Sequence, residues 1–439
     1  HLMSTVAPPG LFTGPDAPDE SDLYKCVHCG FCLQVCPTYI ETGLETESPR
    51  GRIALMKAVN EGRIDITPGV VRHWDLCIQC RACEVACPSG VPYGRLIEAT
   101  MSQVQTRRKA GLLTRLASNI SLKHLLPHQR RLTFLFKALR VYQRFGFQSL
   151  IRKTQMLRML PGNLSELEAS LPRVQPGFFK PTGRVVQPQA EKKARVALLS
   201  GCIMPLVHGP EMSAVVRVLA RNGCEVTTPE AQVCCGAINS HVGDLETARS
   251  LARRNIDAFM ADSVDAVVVA SAGCGIRMKE YGHLLRDDPQ YAERAQQMSE
   301  LVKDVHEFLV DLPFDPPKVG LDRVVTYQDS CHLANTQGVT RQPRDLLTSI
   351  PGVKLVELPN AAMCCGGGGT YTLTEREMSL RVLESKMAAV ASTGADILAT
   401  ANPGCLIQLD YGSRRAGLPL RVKYVTDLLD EAYQAEERR

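Results

Sequence analysis

Two runs of cysteine share one spacing, Cys26-x2-Cys29-x2-Cys32-x3-Cys36-Pro37 and Cys77-x2-Cys80-x2-Cys83-x3-Cys87-Pro88. Thiols at every third residue converge only where the chain turns tightly. Three convergent thiolates suit three corners of a 4Fe-4S cube, whereas a structural zinc ion draws on two separated pairs. In two-cluster chains with this spacing, the fourth cysteine of each run ligates the other cluster. The expected ligand sets are Cys26, Cys29, Cys32 and Cys87 for one cluster, and Cys77, Cys80, Cys83 and Cys36 for a second. Seventeen cysteines with no secretory signal pattern ahead of them suggest metal ligation in a reducing, cytoplasmic compartment, not disulfides.

A chain of 439 residues is expected to form two or three domains. It contains no apolar run near the length of a membrane span, so any membrane connection is expected to be peripheral. His1-Leu2-Met3 reads as a scar of expression, and residues 1–20, rich in Pro, Gly and Asp, as a flexible tail. The net charge of +5 hides a strong segregation: Gln105 to Leu160 carries thirteen Lys or Arg and no acid, which leaves −8 on the rest. Such a patch is a statement about partners, an anionic membrane surface or an acidic subunit, with nucleic acid discounted.

Residues 21–104 are expected to form a helical two-cluster domain. Within it, Ser48 caps and Pro49 opens a helix carrying Ile53, Leu55, Met56 and Val59 on one stripe and ending at Asn60-Glu61-Gly62. Residues 105–190 read as a basic helical linker, with Leu132, Leu135, Phe136, Leu139 and Tyr142 on one face and Lys137, Arg140 and Arg144 opposite.

From Arg195 the sequence repeats itself. RVALLSGC ending at Cys202 matches RVVTYQDSC ending at Cys331, Cys234-Cys235-Gly236 matches Cys364-Cys365-Gly366, and DAVVVASAGC ending at Cys274 matches DILATANPGC ending at Cys405; the offsets are 129, 130 and 131. We read a duplicated α/β lobe with a mainly parallel sheet, over 191–318 and 319–439. The single cysteines fall past the carboxyl ends of strands, where such sheets bind ligands. Cys202, Cys234, Cys235 and Cys274, and in the second copy Cys331, Cys364, Cys365 and Cys405, are candidate ligands of a further 4Fe-4S cluster, of zinc, or of one cluster shared between copies. Cys224 lacks a counterpart and reads as a core residue. The run Gly366 to Gly369 lacks the Gly-Lys-Ser/Thr of a phosphate loop and suits close backbone packing. His332 either tunes a metal or bonds nearby backbone. No flavin site, nicotinamide site or acid-base set is visible, so no catalytic residue is assigned.

The duplicated Cys-Cys-Gly unit resembles the cysteine-rich domain of heterodisulfide reductases. The ordered set from CVHCGFCLQVCPTY and ESPRGR through CIQCRACEVACPSGVPYG to VCCGAINSH, ASAGCGIRMKEYG, MCCGGGGTY and TANPGC resembles the iron-sulfur subunit family of bacterial glycolate oxidase. That resemblance implies an electron-transfer subunit of an oxidoreductase complex, with partner FAD-containing subunits that oxidise glycolate or a similar 2-hydroxy acid, quinone as acceptor, and a place at the inner face of the cell membrane. A D-lactate or glycerol-3-phosphate dehydrogenase complex, or a heterodisulfide reductase, are the other readings. Against the last, Ser271 and Asn402 stand where the reductase has the first cysteine of a C-x-x-C pair, leaving four cysteines per copy instead of five.

Overall fold

A computed structural model describes residues 12–107, 120–154 and 164–439. The first part of the expected tail, Pro161-Gly162 and the cations Arg108, Lys109, Arg115 and Arg158 lie outside the described residues. The N-terminal domain is helical. Ser48 accepts a hydrogen bond from Gly51 N at 3.0 Å and starts the helix Pro49–Asn60. Its Ile53, Met56 and Val59 are buried against Trp74 and against Leu96 and Ile97 of the helix Tyr93–Arg107. Residues 12–19 are not the free tail expected of them. Phe12 packs on Trp74, Thr13 exchanges hydrogen bonds with Gln103, and Asp16 pairs with Arg249, because an apolar ring and a carboxylate both find partners there.

The C-terminal half holds two sheets. The first has the order β1-β3-β2-β4-β5, with β2 (Ala194–Leu199) flanked in parallel by β3 (Cys224–Thr227) and β4 (Ala266–Val269), and β5 (Val302–Asp304) outside β4. The short β1 (Val185–Val186) pairs antiparallel to β3, so the end of the expected linker belongs to the first lobe. The second sheet is all parallel, β7-β6-β8-β9, from Val353–Glu357, Arg323–Tyr327, Ile397–Thr400 and Arg421–Tyr424. One apolar core joins the lobes, with Met212, Val215 and Leu219 of the helix Gly209–Arg221 in the same cluster as Leu428, Leu429 and Ala432 of Val425–Glu437. Cys224 sits in that core and is fully buried.

The linker forms the helices Gln129–Arg144 and Phe147–Thr154. Leu132 and Phe136 face inward as expected, onto Leu206, Val233 and Leu251 of the first lobe. Leu135, assigned to the same inward stripe, is 48% exposed, and Phe134, Val141 and Phe145 are 76%, 50% and 69% exposed. The helix is apolar on two sides, and among the described residues only one of them is covered.

The cluster domain docks on the first lobe through buried charge. Arg81 Nη1 donates to Glu280 Oε1 at 2.6 Å, Arg277 Nη1 to Glu98 Oε2 at 3.1 Å, and Arg277 also pairs with Glu280. Gly94 makes room for this: a Cβ there would stand 2.1 Å from Arg81 Nε. Burial opposes ionisation of Glu98, yet Arg277, His241 and Arg81 outweigh it and hold the carboxyl well below the usual range; Arg81 and Arg277 do the same for Glu280 against its burial. Carboxylates depressed in the folded state contribute stability above their unfolded pKa, and that contribution is lost as pH falls through the folded value.

Removing one partner leaves buried charge uncompensated, so Glu280→Gln is expected to cost about 3 kcal/mol near neutral pH. The gap to the parent chain should narrow below about pH 4 in denaturant melts; a gap indifferent to pH would contradict the assignment. Cys224→Ala is expected to keep the full iron and sulfide content while lowering stability by about 1 kcal/mol, checked by metal analysis and urea unfolding.

Candidate metal centres

The two runs fold alike. His28 and Gly30 in the first, and Gln79 and Arg81 in the second, all take positive φ, at 57°, 89°, 58° and 58°. These left-handed residues coil each run so that its first three cysteines share a cavity and backbone N–H groups turn inward. Gln79 N reaches Cys77 Sγ at 3.4 Å, and Val91 N reaches Cys87 Sγ at 3.5 Å.

One cavity is lined by Cys26, Cys29, Cys32 and Cys87, with Arg50 and Val91 around them. Its neighbour is lined by Cys36, Cys77, Cys80 and Cys83, with Thr38, Arg52 and Tyr93; Cys83 also borders the first cavity. The fourth cysteine of each run thus stands at the cavity of the other. Cys29 is exposed, whereas Cys36 and Cys83 are buried.

The second cavity carries its own counter-charge. Arg52, 1% exposed, donates to Glu47 at 2.9 Å, Thr38 Oγ1 at 3.1 Å and His73 O at 2.6 Å. Burial works against its charge, but Tyr93, Cys77, Cys36 and Glu47 together keep the guanidinium firmly protonated. Burial pushes the Cys80 and Cys83 thiols well up, and a neighbouring thiol adds to each, Cys331 beside Cys80 and Cys80 beside Cys83. A cationic centre is what lets such thiols ionise. Thiolate donors, inward N–H groups and a buried guanidinium therefore fit a cluster that is anionic overall.

In the lobes, each single cysteine lies just past a strand: Cys202 after β2, Cys274 after β4 in the helix Ala272–Lys279, Cys331 at the start of Cys331–Gln337, and Cys405 in Pro403–Ala416. Hydrogen bonds link the thiols of Cys202, Cys234, Cys235 and Cys274, and those of Cys331, Cys364, Cys365 and Cys405. Bonding from Cys202 and Cys235 lowers Cys234; bonding from Cys364 and Cys405 lowers Cys365. Backbone hydrogen bonds from Gly236 and Gly367 act in the same direction. Among the described residues, no three His, Cys, Asp or Glu side chains close on a single-ion site.

Ser271 and Asn402 meet each other between the copies. Ser271 Oγ is 3.4 Å from Asn402 Oδ1, which also accepts from Gly273 N at 3.3 Å, while Asn402 Nδ2 points at Cys405 Sγ at 3.5 Å. His332 Nε2 donates to Gln79 O at 2.7 Å, the backbone role weighed above, and burial depresses its pKa to about 4. The glycine run does pack tightly: a Cβ on Gly368 would stand 3.3 Å from Ile78 O, in the second cysteine run.

Sequence reasoning missed Arg52 and Lys386. Lys386 is 2% exposed, donates to Asn360 O at 2.7 Å and lies near Cys364 and Cys365. Arg52 had a signal, since it follows the capped Pro49 within the quoted ESPRGR. Lys386 had none, because a lysine within an amphipathic helix reads as solvated.

The match to a 4Fe-4S dicluster domain covers residues 22–91, and that to a cysteine-rich domain covers 196–279 and 325–410. Residues 113–171 match the linker region of the glycolate oxidase iron-sulfur subunit. Among curated proteins, the chain is 45% identical over 420 residues to the "Probable glycolate oxidase iron-sulfur subunit" of Bacillus subtilis, covering 94% of this chain and 95% of that one. It is 32% identical to the "Glycolate oxidase iron-sulfur subunit" of Escherichia coli, covering 95% and 96%. The "Lactate utilization protein A" of Bacillus licheniformis is 33% identical over 54% of this chain and 99% of that protein. Dicluster domain, linker and paired cysteine-rich domains occur in one order along nearly the whole length, so this chain is a 4Fe-4S protein that belongs to the family of glycolate oxidase iron-sulfur subunits.

Proposed function

We propose that the chain is the electron relay of a membrane-associated glycolate dehydrogenase. Cys26, Cys29, Cys32 and Cys87 hold one 4Fe-4S cluster, and Cys77, Cys80, Cys83 and Cys36 hold the second. At least one further cluster is held in the Cys-Cys-Gly lobes, with Cys331, Cys364, Cys365 and Cys405 as the set nearest the second cluster. Partner FAD-containing subunits take two electrons from glycolate, and this chain passes them singly toward membrane quinone. The observation that carries the reading is the exchange of Cys36 and Cys87 between the two cavities. When bound, the clusters supply one-electron redox chemistry; the chain supplies thiolates, N–H donors and the Arg52 charge, and it orders the stations. Similarity to lactate utilization proteins favours lactate as the alternative substrate.

The membrane contact rests on the uncovered linker face. Phe134, Val141, Phe145, Phe147 and Leu150 are each at least half exposed, with Lys137, Arg144 and Lys153 also exposed. No described helix is long and apolar enough to cross a membrane. Aromatic residues flanked by cations suit the headgroup boundary of a bilayer, each cation adding ~1 kcal/mol at an anionic surface.

Two outcomes are expected. Anaerobic Cys87→Ser should perturb the cluster of the first run, not that of its own, seen as a changed EPR signal identical in kind to that of Cys26→Ser; a change matching Cys80→Ser instead would refute the crossed ligation. The full chain should co-sediment with anionic vesicles at low salt, more weakly at high salt, and Phe134→Ser/Phe145→Ser should weaken it further. Equal binding to neutral vesicles, or none to anionic ones, would dispose of the membrane face.

A further inference from the structure

Both copies meet the cluster domain, the first through His241, Arg277 and Glu280, but they have diverged at the residues that follow the first cysteine of each set. In the second copy, the helix Cys331–Gln337 lies against the second cysteine run: His332 Nε2 donates to Gln79 O at 2.7 Å and Asn335 Nδ2 donates to Cys80 O at 2.9 Å. Cys331 and Cys80 flank the same small apolar cluster, formed by Ile78, Cys364, Tyr371 and Met378. Tyr371 Oη adds a hydrogen bond to Leu76 O at 2.9 Å. At the matching places of the first copy, counted from Cys202, stand Ile203 and Leu206, which have no side-chain donor. They pack instead with Cys202 and Cys234 beneath Leu132 and Phe136 of the linker helix. The charge differs too, since buried Lys386 beside the second set has Ile256 as its counterpart. Between the copies, Gln337 Nε2 donates to Ala272 O at 3.1 Å, two residues before Cys274.

We propose that the two Cys-Cys-Gly copies are unequal stations in series: the second copy exchanges electrons with the cluster domain across the Cys80–Cys331 contact, and the first copy is the far station under the linker helix. His332 and Asn335 are positioning residues that clamp the Gln79-Cys80 backbone against the second copy. Each transfer moves one electron, with no bond made or broken; reduced flavin is the source and quinone the sink. The order places the last thiol set, Cys202, Cys234, Cys235 and Cys274, beside the helix whose outer face is apolar and cationic. This deepens the relay reading and rests on it.

The test uses the anaerobically prepared full-length protein, reduced with dithionite, with iron analysis and EPR. The signal of the cluster domain is expected to show magnetic interaction with a further centre; Cys331→Ser should abolish that interaction and Cys202→Ser should preserve it. Because Cys331→Ser acts at a ligand, a second pair probes the contact alone. His332→Leu should lower the midpoint potential of the cluster nearest Cys80, and His332→Gln, which still donates, should restore it. Loss of the interaction in Cys202→Ser with retention in Cys331→Ser, or an unchanged potential in His332→Leu, overturns the series order while leaving the relay intact. The series needs about sixteen irons in the parent chain; about twelve leaves one copy empty and about eight leaves both empty, and the inference falls in either case.

Discussion

Thiol exchange between two runs forty residues apart is the constraint on which the rest depends. Cys36 must reach the cavity of the second run and Cys87 that of the first, so the intervening chain has to return on itself. The capped helix Pro49–Asn60 makes that return, and it carries Arg52 to the cavity between Cys36 and Cys77. Backbone strain follows from the same demand. Gln79 and Arg81 take left-handed conformations that cost about 1–2 kcal/mol each outside glycine, and both are anchored by the lobes, Gln79 through His241 and His332 and Arg81 through Glu280. The turn that presents the cysteines of the second run is thereby held by both lobes.

Most of the frame was legible because it rests on local or periodic signals. Ser48-Pro49 announced its helix, strand patterns ending in cysteine announced the two sheets, and offsets of 129 to 131 announced the duplication. Features built from distant partners were not legible. Arg81 and Glu280 lie 199 residues apart and Arg277 and Glu98 lie 179 apart, so nothing near any of them marks a buried pair. The linker helix misled for a different reason. Apolar periodicity identifies a face but does not say how many faces are covered, and Phe134, Val141 and Phe145 form a second one pointing outward. Phe12 and Asp16 were assigned to a tail because composition is blind to a single ring finding Trp74.

The loss of the fifth cysteine in each copy gains a physical meaning. Ser271 and Asn402 bond each other across the junction of the lobes instead of facing outward as ligands. The copies differ beside their first cysteines: His332 and Asn335 face the second cysteine run, whereas Ile203 and Leu206 face the linker helix.

Iron-edge anomalous diffraction from crystals grown without oxygen tests the central claim most directly. The account predicts iron in both N-terminal cavities, with the density of one contacting Cys87 and that of the other contacting Cys36, and further iron beside Cys331. Iron ligated by Cys87 within its own run, or cavities that hold no iron when the solution protein contains it, would contradict it.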